Sequence, residues 1–157
     1  LIHLILHFLY THLPPKQYIL AGNESGLHLG KNDNLALNIA IYDKATVLKR
    51  GFRNQYFDIP PIAVIEVDAK TEGETPEETD SYYFRKIQKL LDFGVLEVIW
   101  IFSDTQKVIF ASQNKDWLVM DWSKEILFLN QYSFSVKKLV EDEDINLFSN
   151  AVNPLTA

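Results

Sequence analysis

Glu66, Asp68 and Lys70 fall at alternate positions directly behind the apolar run Ile62-Ala63-Val64-Ile65 in "PPIAVIEVDAK" (60–70). Side chains two apart in an extended strand share a face. The spacing therefore predicts two carboxylates and an ammonium projecting together from the end of a buried strand. Backbones about 6.6 Å apart, twice the rise per residue, give two ionised carboxylates a repulsion of roughly 2.5 kcal/mol at an effective dielectric near 20. Such a pair calls for a positive partner, which is either Lys70 or a divalent cation. Magnesium binds through one or two carboxylates and keeps several waters, so the pair suits it. The competing reading is a strand that leaves the core after Ile65, with all three side chains in water. The residues by themselves leave both readings open.

Other chemistry is thinner. The chain has 157 residues and no cysteine, which excludes disulfides, thiolate nucleophiles and cysteine-ligated zinc and suits a cytoplasmic setting. His3 and His7 stand at i, i+4 spacing in "LIHLILHFLY", but no glutamate accompanies them in the H-E-x-x-H manner, so they are expected to be ordinary or partly exposed histidines. That segment is also too short to span a bilayer. The net charge of −6 argues against a broad nucleic-acid-coating surface but permits a local basic track. "KATVLKRGFRNQYF" (44–57) offers one, with Lys49, Arg50 and Arg53 set among Phe52, Tyr56 and Phe57. Arg85, Lys86 and Lys89 on neighbouring helical turns extend it. A solvated loop and the polar face of an amphipathic helix are the weightier alternative for most of these cations.

The elements that must position these residues follow from apolar periodicity. Residues 1–10 read as a packed helix ended by Pro14 and Pro15. "QYILAG" (17–22), "LNIAIYD" (37–43) and the stretch at 60–67 read as strands. Residues 23–34 are expected to be an irregular loop or short hairpin, and 45–60 to wrap around a sheet edge. The acidic stretch 71–80 is a loop that ends in a helix start, with Thr75 as N-cap and Pro76 at the first helical position. Tyr83, Ile87, Leu90 and Leu91 then hold helical spacing up to Gly94. "LEVIWIFS" (96–103) is a strand covered on both faces. "KVIFAS", "DWLVMD" and "EILFLN" form an antiparallel meander, and "FSVKKLV" a short closing helix. One domain over 1–145 and a polar, acidic tail over 146–157 account for the chain.

This αβββαβ order, with an acid on a central strand and an acid-x-Lys element close by, resembles the PD-(D/E)XK pattern of the restriction-endonuclease-like superfamily. More closely, the chain is similar to the Uma-two family, a bacterial group assigned as endonucleases. The stretches "NLALNIAIYDKA", "PPIAVIEVDAK", "YYFRKIQKLLDFGVLEVIWIF" and "QKVIF...DWLVMDW" carry the likeness, in order, over roughly residues 15 to 140. The spacing K-x-x-x-L-x-x-x-G-V-x-x-V-I-W from Lys86 to Trp100 is its most specific part.

The resemblance implies an α/β fold with a mixed central sheet flanked by helices and a C-terminal antiparallel β-meander. It also implies magnesium- or manganese-dependent hydrolysis of DNA phosphodiester bonds. Glu66 is then the principal metal ligand and Asp68 a second, with the Val67 carbonyl between them. Lys70 or Lys86 supplies the ammonium, depending on which frame is functional. Lys49, Arg50, Arg53, Arg85 and Lys89 are the candidate DNA contacts, and homodimerisation is expected because relatives of this fold often dimerise. Asn38 is the chief departure, because the family places an aspartate there. An amide oxygen can ligate a hard cation but brings no negative charge. A catalytically impaired binding or assembly module is therefore the alternative expectation.

Overall fold

The structure is a computed structural model and describes residues 1–22, 25–51, 56–68 and 76–143. Helix α1 spans Ile2–His12, with Ile5 and Leu9 buried one turn apart and Leu13 buried in the extended residue that caps it. Pro14 and Pro15 then stop the helix, since neither can donate a backbone hydrogen bond. His3 and His7 lie on its exposed side.

Strand β1 (Tyr18–Ala21) leads to a hairpin, β2 (Ser25–Gly30) and β3 (Asp33–Leu37), and then to β4 (Ile39–Asp43). Helix α2 (Lys44–Arg50) and the short β5 (Tyr56–Phe57) precede β6 (Ala63–Val67). Helix α3 (Pro76–Phe93) returns the chain to β7 (Glu97–Phe102). Strands β8 (Lys107–Ser112), β9 (Leu118–Asp121), β10 (Ile126–Phe128) and β11 (Tyr132–Phe134) follow, then a helix α4 over 136–143.

The main sheet has the order β1-β4-β6-β7-β8-β9. Only β6 and β7 run parallel, and a parallel pair needs a long crossover, which α3 supplies. Along this sheet α1, β1, β4, β6, α3 and β7 give the αβββαβ order that the sequence predicts. The β2–β3 hairpin is an insertion, paired with β5 in a separate three-stranded sheet. The antiparallel run after β7 continues as β8 and β9 in the main sheet, while β10 and β11 form their own hairpin.

Alternation sorts the strand residues into two cores. Ile39, Ile41, Ala63, Ile65, Ile99 and Ile101 face α1 together with Phe128 and Phe134. Ala40, Tyr42, Val64, Val98 and Trp100 face α3 through Tyr83, Ile87, Leu90 and Leu91. Each fully buried aliphatic side chain of this kind is worth about 1.5–3 kcal/mol. In β6 the even-numbered residues therefore look toward α3, and Glu66 is even.

Residues 45–60, expected to wrap an edge, instead open with α2. Asp43 caps that helix, its carboxylate accepting from the Thr46 backbone N–H at 3.1 Å and from the Thr46 hydroxyl at 2.6 Å. The expected Thr75 cap and the tail over 146–157 lie outside the described residues. Among the described residues no helix is long and apolar enough to cross a membrane.

Gly94 ends α3 at φ +121°, with its N–H on the Leu91 carbonyl and the Val95 N–H on that of Leu90. This paired closure favours glycine, and a Cβ at Gly94 would lie 3.1 Å from Pro60 Cγ. Gly94→Ala is expected to lower the unfolding free energy by about 1–2 kcal/mol. Urea denaturation should show a lower midpoint with an unchanged slope.

Candidate active site

Asn38 sits at the bend between β3 and β4, one residue ahead of the Ile39–Ile65 pair, so antiparallel register brings it opposite Glu66. Its backbone N–H donates to Glu66 Oε1 at 3.3 Å, and its side-chain Oδ1 accepts from the Val67 N–H at 2.8 Å. The amide thus continues the β4–β6 ladder one step past its last backbone pair. It also fixes the Glu66 carboxylate from one side.

Lys86 reaches Glu66 from α3. Its Nζ lies 3.4 Å from Glu66 Oε1, and the two side chains are only 6% and 1% exposed. The same ammonium donates to the Ala36 carbonyl at 3.0 Å and sits 5.5 Å from the Trp100 ring centroid. At an effective dielectric near 20 the ion pair attracts by about 5 kcal/mol. Desolvation costs several kcal/mol for each ion, so such a pair adds little over two well-packed apolar side chains. A buried lysine–glutamate pair in an otherwise aliphatic and aromatic layer is thus poorly explained by stability.

Asp68 behaves differently from the strand-parity expectation. Regular β6 ends at Val67, and Asp68 adopts φ +45°, with its N–H on the Ile101 carbonyl at 3.0 Å. Aspartate is one of the few residue types that tolerates this left-handed state. Its Oδ1 accepts from the Ser103 N–H at 2.6 Å, and Oδ2 is bonded to the Ser103 hydroxyl. Alternation therefore does not carry past Val67. Lys70 lies outside the described residues, which leaves Lys86 as the described ammonium on Glu66.

Of the candidate DNA contacts, Lys49 is exposed on α2 and Arg85 is exposed on α3. Arg50 pairs with Asp58 at 2.7 Å and Lys89 with Asp33 at 2.7 Å. Exposed pairs of this kind are worth little and exchange readily. Arg53 lies outside the described residues.

The structure thus brings together Asn38, Glu66 and Lys86, keeps Asp68 close by on Ser103, and seats Arg50 and Lys89 on carboxylates of their own. Three participants went unread in the sequence as site groups: the Ala36 carbonyl, the Trp100 ring face and Ser103. Trp100 carried a signal in its fixed spacing from Lys86. Ser103 follows β7 directly, and only the parallel β6–β7 pairing brings it to Asp68.

Hard oxygen donors are available to a divalent cation. Glu66 contributes a carboxylate, and the Asn38 amide oxygen has a second lone pair beyond the one that the Val67 N–H uses. Magnesium's habit of binding few protein oxygens and keeping its waters fits this sparse set. Among the described residues no group of three or more histidine, aspartate or glutamate side chains is placed to hold a metal ion.

No family model and no curated protein matches the chain. Among solved structures it is similar to a candidate nuclease belonging to DUF820 from Anabaena variabilis. The two share 17% identity with a TM-score of 0.65, over 88% of this chain and 74% of that one. At that identity the likeness is one of fold.

Proposed function

We propose that the chain is a nuclease of the PD-(D/E)XK superfamily and the Uma-two family, hydrolysing DNA phosphodiester bonds with magnesium or manganese. The observation that carries this reading is the buried Lys86–Glu66 pair beside Asn38, on the sheet face beneath α3. A lysine supplied from the helix, rather than from the strand itself, gives the site its positive charge. Glu66, and Asn38 with its neutral oxygen, would hold the cation, with Asp68 as an adjacent second carboxylate. When bound, the metal would lower the pKa of a coordinated water and offset charge on the phosphoryl oxygens. Lys86 would stabilise the negative charge that develops on those oxygens, an interaction strengthened by its exclusion from water. Asn38 would keep the Glu66 carboxylate oriented through its backbone N–H. Lys49 and Arg85, both exposed, would meet the DNA backbone, and Arg50 and Lys89 would exchange Asp58 and Asp33 for phosphates. We place the protein in the cytoplasm, with a second copy of itself as partner.

Asn38 supports a second reading, a catalytically impaired binding or assembly module. Its oxygen brings no charge and already accepts the Val67 N–H. Incubating supercoiled plasmid and single-stranded DNA with magnesium or manganese separates the two. The nuclease reading expects cleavage that needs the cation and is lost in Glu66→Ala. Equal nicking by both proteins, or none by either, would remove it.

A further inference from the structure

We infer that Ser103 is a positioning residue that governs whether Asp68 is available to a cation at the Glu66 site. The inference rests on the reading of Glu66 as a cation ligand. Three observations place Ser103 in this role. Consecutive Cα atoms are 3.8 Å apart, so the Cα atoms of Glu66 and Asp68 cannot be separated by more than about 7 Å. Asp68 is therefore within side-chain reach of the same ion. Its backbone has left the strand at φ +45°, which frees its side chain from the pleat of β6. Both its carboxylate oxygens are nonetheless engaged, one by the N–H and one by the hydroxyl of Ser103.

A carboxylate that accepts two hydrogen bonds has part of its charge already satisfied, and a cation must compete with those donors. The backbone N–H of residue 103 survives every substitution except proline, whereas the hydroxyl is removed by alanine or glycine. Ser103 is exposed at the end of β7, so its loss leaves the two cores untouched. The hydroxyl thus acts as a clasp that draws Asp68 toward β7 and leaves Glu66 as the carboxylate committed to the site among the described residues.

The test is manganese binding, followed through the electron paramagnetic resonance signal of the free ion. Ser103→Ala should bind manganese about tenfold more tightly than the wild type, the scale of one hydrogen bond to a charged group. Ser103→Thr, which restores the hydroxyl, should bind as the wild type does. The double variant Ser103→Ala/Asp68→Asn should lose the gain. Should Ser103→Ala fail to fold, Ser103→Gly removes the same hydroxyl and carries the same expectation. Equal or weaker binding by Ser103→Ala, with manganese bound by the wild type, would overturn this inference alone. A gain retained in the double variant would overturn it as well. Binding by neither protein would overturn it together with the cation reading of Glu66.

Discussion

Glu66→Ala lowers the unfolding free energy by about 3–5 kcal/mol, the cost of leaving one member of a buried ion pair without its counter-charge. The stranded group is the Lys86 ammonium, which among the described residues keeps the Ala36 carbonyl and the Trp100 ring. Lys86→Met strands Glu66 instead and carries a similar cost, softened by the Asn38 N–H that still reaches Oε1. The double replacement Glu66→Leu/Lys86→Met behaves otherwise. It is expected to match the wild type or exceed it by about 1–4 kcal/mol, because neither charge then needs desolvating. Chemical denaturation of the wild type, Glu66→Leu, Lys86→Met and the double variant closes this cycle. A double variant no more stable than the single ones would mean that the pair is retained for the fold rather than for chemistry.

Asn38→Asp makes both stability and activity depend on the cation. Without metal, a new carboxylate beside Glu66 is repelled, by roughly 3–4 kcal/mol for two unit charges about 4–5 Å apart at an effective dielectric near 20. The Val67 N–H keeps its acceptor, so the ladder contact survives the exchange. With metal, the second anionic ligand raises affinity, and saturation at a hundred times Kd returns about 2.7 kcal/mol. Thermal unfolding with and without manganese should show a large metal-dependent shift for Asn38→Asp and a smaller one for the wild type. DNA cleavage should rise in the same variant. An equal shift in both proteins would mean that position 38 does not face the ion.

Much of the frame was legible because it rests on period. The short β-branched runs in "LNIAIYD" and "PPIAVIEV" are buried strands, and the helical spacing of Tyr83, Ile87, Leu90 and Leu91 marks the buried face of α3. Parity along β6 puts Glu66 under α3, where Lys86 waits. The site became harder to read where the chain leaves regular geometry. Asp68 shares even parity with Glu66, yet nothing local announces that β6 stops at Val67 and that the next residue turns left-handed. Ser103 is 35 residues from Asp68 in the chain, and only the parallel pairing of β6 with β7 joins them. Asp43 carries a capping signal, with Thr46 three residues on. Asp43 both ends β4 and caps α2, and only the first of these roles is legible in the apolar run before it.

The basic residues show a different limit. Arg50 and Lys89 look like free phosphate contacts when only their own neighbours are read, but their partners Asp58 and Asp33 lie 8 and 56 residues away. Composition shows that acids outnumber bases and cannot say which bases they neutralise.

Manganese-soaked crystals of the wild type and of Asn38→Asp, measured for anomalous scattering, test the central claim most directly. The account predicts a peak in contact with the Glu66 carboxylate and the residue 38 oxygen, at higher occupancy in the variant. A map without density at Glu66 in either protein, and with the Lys86 ammonium still seated on that carboxylate, would contradict it.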